Sequence, residues 1–203
     1  MNAAIDVTGV EIETPRLLLR AWKQEDLADF YEYARVDGVG QMAGWMPHKS
    51  MDESKAILEK FIEHKKTFAI VSKADGKTIG SVGVELYHME EELSEFFDYK
   101  GREIGFVLSK AYWGQGLMTE AVKAVVAYCF DRLDYDFLLC GHFNSNTRSM
   151  RVQQKVGFVP YRKITYDTKM GTKEQGILNL LVNPKKTMKF YFSHPETLIY
   201  TNS

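Results

Sequence analysis

Two glycines, Gly114 and Gly116, occupy a short turn between a strand-like apolar run at residues 104–108 and a helical pattern. Such a turn can hold a phosphate, because glycine lets the backbone approach the anion and the unpaired N–H groups of the first helical turn donate to it. A Walker A loop would place Lys and Ser or Thr after the last glycine, and a dinucleotide fingerprint would need a third glycine where Thr119 stands. The spacing therefore predicts an anion site, and the geometry alone does not identify its ligand.

The residues around this turn resemble a known family. The run from Tyr112 to Ala121, Tyr-Trp-Gly-Gln-Gly-Leu-Met-Thr-Glu-Ala, is similar to the acyl-CoA loop of the GNAT superfamily of N-acetyltransferases, in the branch that contains the ribosomal-protein N-terminal acetyltransferases. Residues 146–149 with 155–158 are similar to that branch's Asn-x-x-Ser and Lys-x-Gly-Phe pattern, and residues 13–20 resemble its opening strand. Each segment alone is a weak signal, but the three occur in the family's order.

The resemblance implies how an acyl-CoA would be held. Backbone N–H groups of residues 106–108 would bind the pantetheine arm and polarise the acyl carbonyl, and the glycine loop would bind the pyrophosphate. Asn146 would contact the pantetheine arm, and Ser149 would face the leaving sulfur. Both could instead be ordinary residues of a helix N-terminus, where Asn and Ser are favoured as caps. The implied acyl-CoA residues are Phe106, Val107, Leu108, Gly114, Gln115, Gly116, Leu117, Met118, Thr119, Asn146 and Ser149.

Three groups compete as the base that takes a proton from the acceptor amine. Elsewhere in the superfamily a glutamate at the start of the central strand does this through water, and Glu103 stands at that place, although a strand-end glutamate can also be simply exposed. Glu85 and His142 are the alternatives, and bulk water could also take the proton without any of the three. Trp45 and His48 match a loop that lines the acceptor entrance in related proteins, with internal packing as the alternative. The resemblance thus implies Ser149 and Glu103 as catalytic residues, and Trp45, His48 and Glu85 as acceptor contacts.

Two residues depart from the family pattern. Met118 stands where the family has Gly or Ala, so its side chain must point away from the acyl-CoA or narrow its site. Gln153 stands where several relatives carry a tyrosine general acid, and an amide cannot protonate a thiolate.

Two classes of function are therefore open. The first is an N-acetyltransferase that transfers an acetyl group from acetyl-CoA to a primary amine by direct attack, and the second is a non-catalytic acyl-CoA-binding regulatory module. A protein N-terminus, a polyamine, an amino acid and an aminoglycoside all fit as acceptors. A Rossmann-type nucleotide-binding protein is a distant third class, because the glycine spacing is wrong.

Apolar periodicity and turn residues define the other elements. Besides residues 104–108, strands are predicted at 12–21, 67–72, 78–87, 136–143, 158–165 and 175–182. Helices are predicted at 26–36, after a capping box at Ser50 and Glu53, after Gly116, and at 146–156 with Gly157 as the terminating residue.

This order of elements predicts an α/β fold with a mixed sheet and helices on both faces. The resemblance adds a GNAT-like, mostly antiparallel sheet with a splayed parallel strand pair, formed by the strands at 104–108 and 136–143, and the acyl-CoA arm would enter the gap. The acyltransferase domain is expected at residues 11–183, between a flexible N-terminus at 1–10 and a tail at 184–203. The acidic segment 89–100 is either a solvated turn with some packed aromatic residues or a lid or wall of the acceptor site.

Composition bounds the remaining possibilities. The 203 residues carry a net charge of −1, with 45% hydrophobic and 26% charged residues, which is ordinary for a soluble globular protein. The charge gives no reason to expect a nucleic-acid partner, and no apolar run approaches the roughly 20 residues that span a bilayer. Two cysteines make no disulfide framework. We therefore expect a cytoplasmic monomer or homodimer that uses no metal and binds neither nucleic acid nor membrane.

Overall fold

The computed structural model describes residues 1–87 and 93–188. Their strands form one eight-stranded sheet. In chain order the strands are β1 (Glu11–Glu13), β2 (Leu17–Ala21), β3 (Thr67–Ser72), β4 (Thr78–Glu85), β5 (Gly101–Leu108), β6 (Phe137–Phe143), β7 (Val159–Asp167) and β8 (Lys173–Val182). The α-helices of the same residues are α1 (Leu27–Ala34), α2 (Met51–His64), α3 (Leu117–Asp131) and α4 (Thr147–Val156).

The sheet is mixed and mostly antiparallel, as predicted. Its strand order is β1-β2-β3-β4-β5-β6-β8-β7, and every neighbouring pair is antiparallel except β5 with β6. The last two strands are longer than predicted, because their pairing continues through polar residues as far as Asp167 and Lys173. The predicted ends lie where the apolar alternation stops, whereas the backbone hydrogen bonds of the hairpin continue beyond them.

Helices cover both faces of this sheet, which confirms the prediction. Along β3, Phe68 and Ile70 pack in the core cluster that contains the inner face of α3, whereas Ala69 packs in the cluster formed with α1 and α2. Successive side chains of a strand point to opposite faces. The two clusters therefore lie on opposite sides of the sheet.

The helix ends follow the predicted capping residues. Ser50 Oγ accepts a hydrogen bond from the Glu53 amide at 3.2 Å and so caps α2. The return bond of the predicted box differs by one residue, because the Glu53 carboxylate accepts from the amide of Lys49 at 2.8 Å. At the end of α4, Gly157 has φ 109°, as predicted for the left-handed residue that terminates a helix.

The parallel pair is splayed. β5 and β6 are paired only from Gly101 to Glu103 and from Phe137 to Leu139. Beyond these residues β5 stays paired with β4, and β6 stays paired with β8, while the two strands separate from each other. Within the described part of the chain, the edges that face this gap have no strand partner, so their backbone N–H and C=O groups can bind a ligand except where a side chain already does so, as at the carbonyls of Leu108 and Gly141.

The N-terminus corrects one prediction. Residues 1–10, expected to be flexible, pack against the domain: Ala3 is 7% exposed and Val7 is 1% exposed, and both belong to the core cluster under α3. Arg102 Nε donates to the Ala3 carbonyl at 2.5 Å, and Asn2 forms a parallel bridge with Gly101. The apolar alternation of Ala3, Ile5 and Val7 was the available signal for this arrangement.

The acidic segment and the tail are described only in part. Glu90, Glu91 and Glu92 lie outside the described residues, as does the tail from residue 189. The described end of the acidic segment combines exposed and packed residues, because Phe97 is 70% exposed whereas Phe96 is fully buried and the Glu95 carboxylate lies 3.3 Å from the guanidinium of Arg162. In residues 1–87 and 93–188, no helix has the length and apolar character needed to cross a membrane.

Candidate active site

A cavity of about 710 Å³ opens where β5 and β6 separate. The unpaired part of β5 lines one side and residues 140–143 of β6 line the other. The N-terminus of α3, one face of α4 and the loop that carries Trp45 complete the wall. Across the described ranges, no three or more His, Cys, Asp or Glu side chains are grouped so that they could hold a metal ion.

The α3 end of the cavity has the features of an anion site. Gly114 and Gly116 have φ 78° and 77°, a conformation that other residues adopt only with strain. Gly116 is the N-cap of α3 and offers no side chain to cap the helix, so the first N–H groups of α3 have no partner of that kind. No heavy atom lies within 4 Å of the position that a Cβ on Gly114 would take, which leaves room for a ligand.

A basic face of α4 lies along the same cavity. Arg148, Arg151 and Lys155 all line it, at the i, i+3 and i+7 spacing that puts side chains on one face of a helix. The guanidinium of Arg148 also lies over the indole ring of Trp113, 4.5 Å from its centroid. No motif marked these cations as ligand contacts, although their helical spacing was visible in the sequence.

Glu103 lines the cavity where β5 and β6 part. Its side chain is partly buried, and its Cα partner across the β4–β5 pair is Glu85. Burial, together with the charge of Glu85, raises the pKa of Glu103 to about 7. Glu103 is therefore a partly buried group at the cavity wall rather than an exposed strand-end glutamate.

Two residues expected at the acceptor site lie outside the cavity wall. Glu85 forms an ion pair with Lys66 and accepts a hydrogen bond from Thr67 Oγ1 at 3.3 Å. His48 is 8% exposed, and its Nδ1 is 2.7 Å from Ser54 Oγ. Neither side chain lines the cavity, because each is held by partners inside the protein, and their contact with the acceptor stays a prediction. Only Trp45 of the three predicted acceptor contacts lines the cavity.

Two positions of the glycine loop also differ from expectation. The side chain of Gln115 turns back to the Ala111 carbonyl, 3.4 Å away, and Gln115 does not line the cavity. Met118 lines the cavity but is 6% exposed and belongs to the core cluster under α3, so its side chain points mainly away from the ligand space. Met118 therefore does not close the site.

Asn146 and Ser149 both line the cavity, and Asn146 also caps the helix, so the capping interpretation holds for Asn146 while the contact of both residues with an acyl-CoA stays a prediction. Asn146 Oδ1 accepts from the Ser149 amide at 3.1 Å, which is the N-cap bond of α4. The Asn146 Nδ2 group donates to the Met42 carbonyl at 3.1 Å and ties α4 to the loop that precedes Trp45. The capping bonds leave the Ser149 hydroxyl free of the backbone.

Tyr166 is a cavity residue that the sequence analysis missed. Its hydroxyl lies 1.7 Å from the position that a Cβ on Gly141 would take, so only glycine at 141 leaves room for it. Burial raises the pKa of Tyr166, and the nearby Glu103 and Cys140 raise it further. No motif marked this tyrosine, because its place depends on the β6, β8 and β7 pairing rather than on local sequence.

Comparison with known proteins identifies the family to which the chain belongs. Residues 16–159 match the family described as acetyltransferase (GNAT) domain, which is more than half of the chain. The Bacillus subtilis (strain 168) protein named "Probable N-acetyltransferase YjcK" is 34% identical over 138 residues, which cover 66% of this chain and 70% of that protein.

Solved structures show the same fold at lower identity. A GNAT-family acetyltransferase from Bacillus anthracis superposes with a TM-score of 0.73 at 20% identity, covering 86% of this chain and 99% of that chain. The ribosomal-protein-S5-alanine acetyltransferase from Vibrio fischeri has a TM-score of 0.66 at 22% identity, covering 86% and 97%. The microcin self-immunity acetyltransferase MccE, solved in complex with acetyl-CoA and AMP, has a TM-score of 0.68 at 14% identity, covering 83% and 93%. The family match over most of the chain, the curated relative and the shared fold together mean that the chain belongs to the GNAT family of N-acetyltransferases.

Proposed function

We propose that this N-acetyltransferase takes its acetyl group from acetyl-CoA and transfers it to a primary amine, on a protein N-terminus or a small molecule, by direct attack. The observation that carries the proposal is Glu103, a carboxyl group with a pKa of about 7 at the wall of a cavity that leads from an anion site. An acetyl thioester supplies an activated acyl carbon, so the protein has to bind and orient the two reactants and to take up the protons that the amine loses.

The cavity residues fit an acyl-CoA. The first turn of α3, after Gly114 and Gly116, offers N–H groups to the pyrophosphate, and the cationic face of α4 adds positive charge along the same wall. The unpaired edge of β5 at residues 106–108 offers backbone groups to the amides of the pantetheine arm. Asn146 and Ser149 border this path from α4.

Glu103 is suited to act as the general base. An amine with a pKa near 10 is mostly protonated at neutral pH, so it has to lose a proton before it can attack. A base is most effective when its pKa lies near the working pH, and the environment of Glu103 gives it such a value. We infer that Glu103 takes the proton through a water molecule in the cavity.

Direct attack requires no acyl-enzyme, and the cysteines offer no nucleophile for one. Cys129 and Cys140 are both fully buried, and burial raises the pKa of Cys129 to about 12 and the pKa of Cys140 well above its ordinary value. A buried thiol of this kind is a poor nucleophile. The Ser149 oxygen accepts a hydrogen bond from an amide rather than giving its proton to a histidine, so it is not activated as a nucleophile either.

The test replaces Glu103 with glutamine and measures thiol release from acetyl-CoA with a panel of small amines and of peptides with free N-termini. If Glu103 is the base, Glu103→Gln lowers kcat/KM by roughly 10²–10⁴-fold, the usual contribution of general base catalysis. The affinity for acetyl-CoA, measured by calorimetry, is expected to stay the same. Glu32→Gln, a change in an exposed surface ion pair with Lys77, is the matched control and is expected to keep full activity.

The same assay separates catalysis from binding alone. A protein that binds acetyl-CoA but releases no thiol with any acceptor would be the regulatory acyl-CoA-binding module. Full activity of the Glu103→Gln variant would instead exclude Glu103 as the base and leave positioning as the main source of catalysis.

A further inference from the structure

A chain of buried side-chain hydrogen bonds joins Ser149 on α4 to His142 on β6. Gln153 Nε2 donates to Ser149 Oγ at 3.0 Å, and Asn179 Nδ2 donates to Gln153 Oε1 at 2.7 Å. The same Asn179 nitrogen is 3.0 Å from His142 Nδ1. Gln153 is 1% exposed and Asn179 is 4% exposed, whereas Ser149 and His142 line the cavity. The two buried amides thus connect two residues of the cavity wall.

The backbone fixes the direction of these bonds. Gln153 Nε2 is 3.0 Å from the carbonyl oxygen of Gly141, which can only accept, so that end of the side chain must be the nitrogen. The Gln153 oxygen then faces Asn179, and the Asn179 atom beside it must be a donor. An amide nitrogen has two protons, and after Gln153 Oε1 its nearest acceptor is His142 Nδ1, ahead of the Cys140 carbonyl at 3.3 Å.

This order of bonds determines what Ser149 can do. A hydroxyl carries one proton and two lone pairs, and the Ser149 oxygen already accepts from the Gln153 nitrogen. That nitrogen is a donor only, so the Ser149 proton cannot be given to it. The proton is left for an acceptor in the cavity.

The same order determines the state of His142. Its Nδ1 accepts from Asn179, so the ring proton of the neutral form is on Nε2. Burial lowers the pKa of His142, which favours this neutral form. The Nδ1 lone pair of His142 already accepts from Asn179, so His142 is not available as the base for the acceptor amine. Its Nε2–H group stays free to donate.

We propose that Gln153 and Asn179 are positioning residues that present the Ser149 hydroxyl and the His142 Nε2–H group as two donors to the departing thiolate. This inference rests on the proposed function. Glu103 takes the first proton of the ammonium group through water before the attack and releases it to solvent through the cavity. While the neutral amine nitrogen then bonds to the acetyl carbon, the carbon–sulfur bond breaks, its electron pair stays on sulfur, and the second proton leaves the nitrogen by the same route to Glu103. Two donors stabilise that thiolate without protonating it, and this replaces the acid that Gln153 itself cannot be.

The test measures thiolate recognition by calorimetry, with CoA and with desulfo-CoA, which lacks the sulfur. A free thiol has a pKa of about 8.5, so CoA affinity for the wild-type protein is expected to rise between about pH 6.5 and about pH 9, while desulfo-CoA affinity stays level. In Gln153→Glu the new carboxylate accepts the Ser149 proton, and the preference for CoA at the high pH is expected to fall by roughly tenfold or more. Gln154→Glu, at the neighbouring exposed position of α4, is the matched control and keeps the preference.

The outcomes separate this inference from the proposed function. Failure of both ligands to bind the wild-type protein would overturn the proposed function. Equal affinity for both ligands at every pH, or an unchanged preference in a folded Gln153→Glu variant, would overturn the positioning role and leave the proposed function standing.

A measurement on the unmodified protein covers the case in which Gln153→Glu does not fold. Nitrogen NMR of the histidine rings is expected to show His142 neutral, with its proton on Nε2, at neutral pH. A proton on Nδ1, or a charged ring, would contradict the hydrogen-bond order from which the inference follows.

Discussion

Glu103 and Glu85 face each other across β4 and β5, and this pairing gives Glu103 its properties. Residues that are Cα partners in an antiparallel pair point to the same face of the sheet, and like charges there destabilise each other. Lys66 forms an ion pair with Glu85, whereas no ion pair is formed by Glu103 with any described residue. Burial and the charge of Glu85 therefore act together on the Glu103 carboxyl group and favour its protonated form.

The pH dependence of activity follows from that environment. Below a pH of about 7 the Glu103 carboxyl group is protonated and cannot accept the amine proton, so kcat/KM is expected to fall as the pH drops through this value. Glu85→Gln removes the like charge, so the pKa of Glu103 falls and the midpoint of the acidic limb moves to lower pH. Rate profiles of both proteins with one amine acceptor measure the shift. A midpoint that stays in place or moves upward in Glu85→Gln would contradict the coupling.

Sequence reasoning named Glu103, Glu85 and His142 as candidate bases but could not separate them. All three have residue types that can do acid–base chemistry. What distinguishes them in the structure is their partners: Lys66 for Glu85 and Asn179 for His142, which are close in space but carry no motif. Tyr166 was missed for a related reason, because its position in the cavity wall depends on strand pairing that no local pattern encodes.

At the scale of elements, the glycine loop is attached by hydrogen bonds to the short segment between β1 and β2. The Glu120 carboxylate accepts from Thr14 Oγ1 at 2.7 Å and from Arg16 Nε at 2.7 Å, and Arg16 Nη1 donates to the Gln115 carbonyl at 2.9 Å. Although burial acts to raise it, the hydrogen bonds from Thr14 and Arg16 keep the pKa of Glu120 below its ordinary value. These bonds attach the loop and the first turn of α3 to the segment before β2.

Weakening this attachment is expected to weaken cofactor binding. Glu120→Gln loses the charge of the carboxylate that holds Arg16, and because Arg16 is about half exposed the loss is moderate. We expect acetyl-CoA affinity to fall roughly threefold to tenfold, with little change in kcat at saturation, since the reacting groups are elsewhere. Calorimetry and steady-state kinetics measure the two effects. An unchanged dissociation constant would show that the loop keeps its geometry without Arg16, and a lower kcat alone would contradict the assignment to binding.

Most elements followed from local patterns. The predicted helices and most of the predicted strands are present, since apolar alternation, the Ser50 cap and the Gly157 terminus are local features whose physics holds in any fold. The single strand predicted at 12–21 is wrong, because residues 14–16 turn the chain and the segment forms two strands, β1 and β2, that pair antiparallel with each other. The splay between β5 and β6 was expected from the family resemblance alone, and no residue pattern in either strand encodes it. The N-terminal segment was missed because its alternation covers only Ala3, Ile5 and Val7, too few residues to stand out without the surface on which they pack.

At the scale of the whole molecule, the two faces of the sheet are covered by different helices, and each face borders a different part of the cavity. Along β5, Ile104 points into the core under α3, so its neighbour Glu103 points to the opposite face. The loop that carries Trp45 packs in the cluster with α1 and α2, on that same opposite face. We infer that the acyl-CoA lies against α3 and α4 while the acceptor enters beside α1 and α2, and that the gap between β5 and β6 is where the two meet.

The N-terminal segment anchors the start of β5, and its contribution to stability is measurable. Val7 is 1% exposed in the core cluster under α3, and its amide donates to the Lys65 carbonyl at 2.8 Å. Val7→Ala removes buried apolar surface and leaves a small cavity, so we expect a loss of about 2 kcal/mol in the free energy of unfolding and a fall in Tm of roughly 4–8 °C. Val159→Ala, at a position that is 48% exposed, is the matched control and is expected to change Tm by less than about 2 °C. Thermal unfolding followed by circular dichroism compares the two variants. Equal, small shifts would mean that residues 1–10 contribute little to the fold, which is the flexible arrangement that the sequence first suggested.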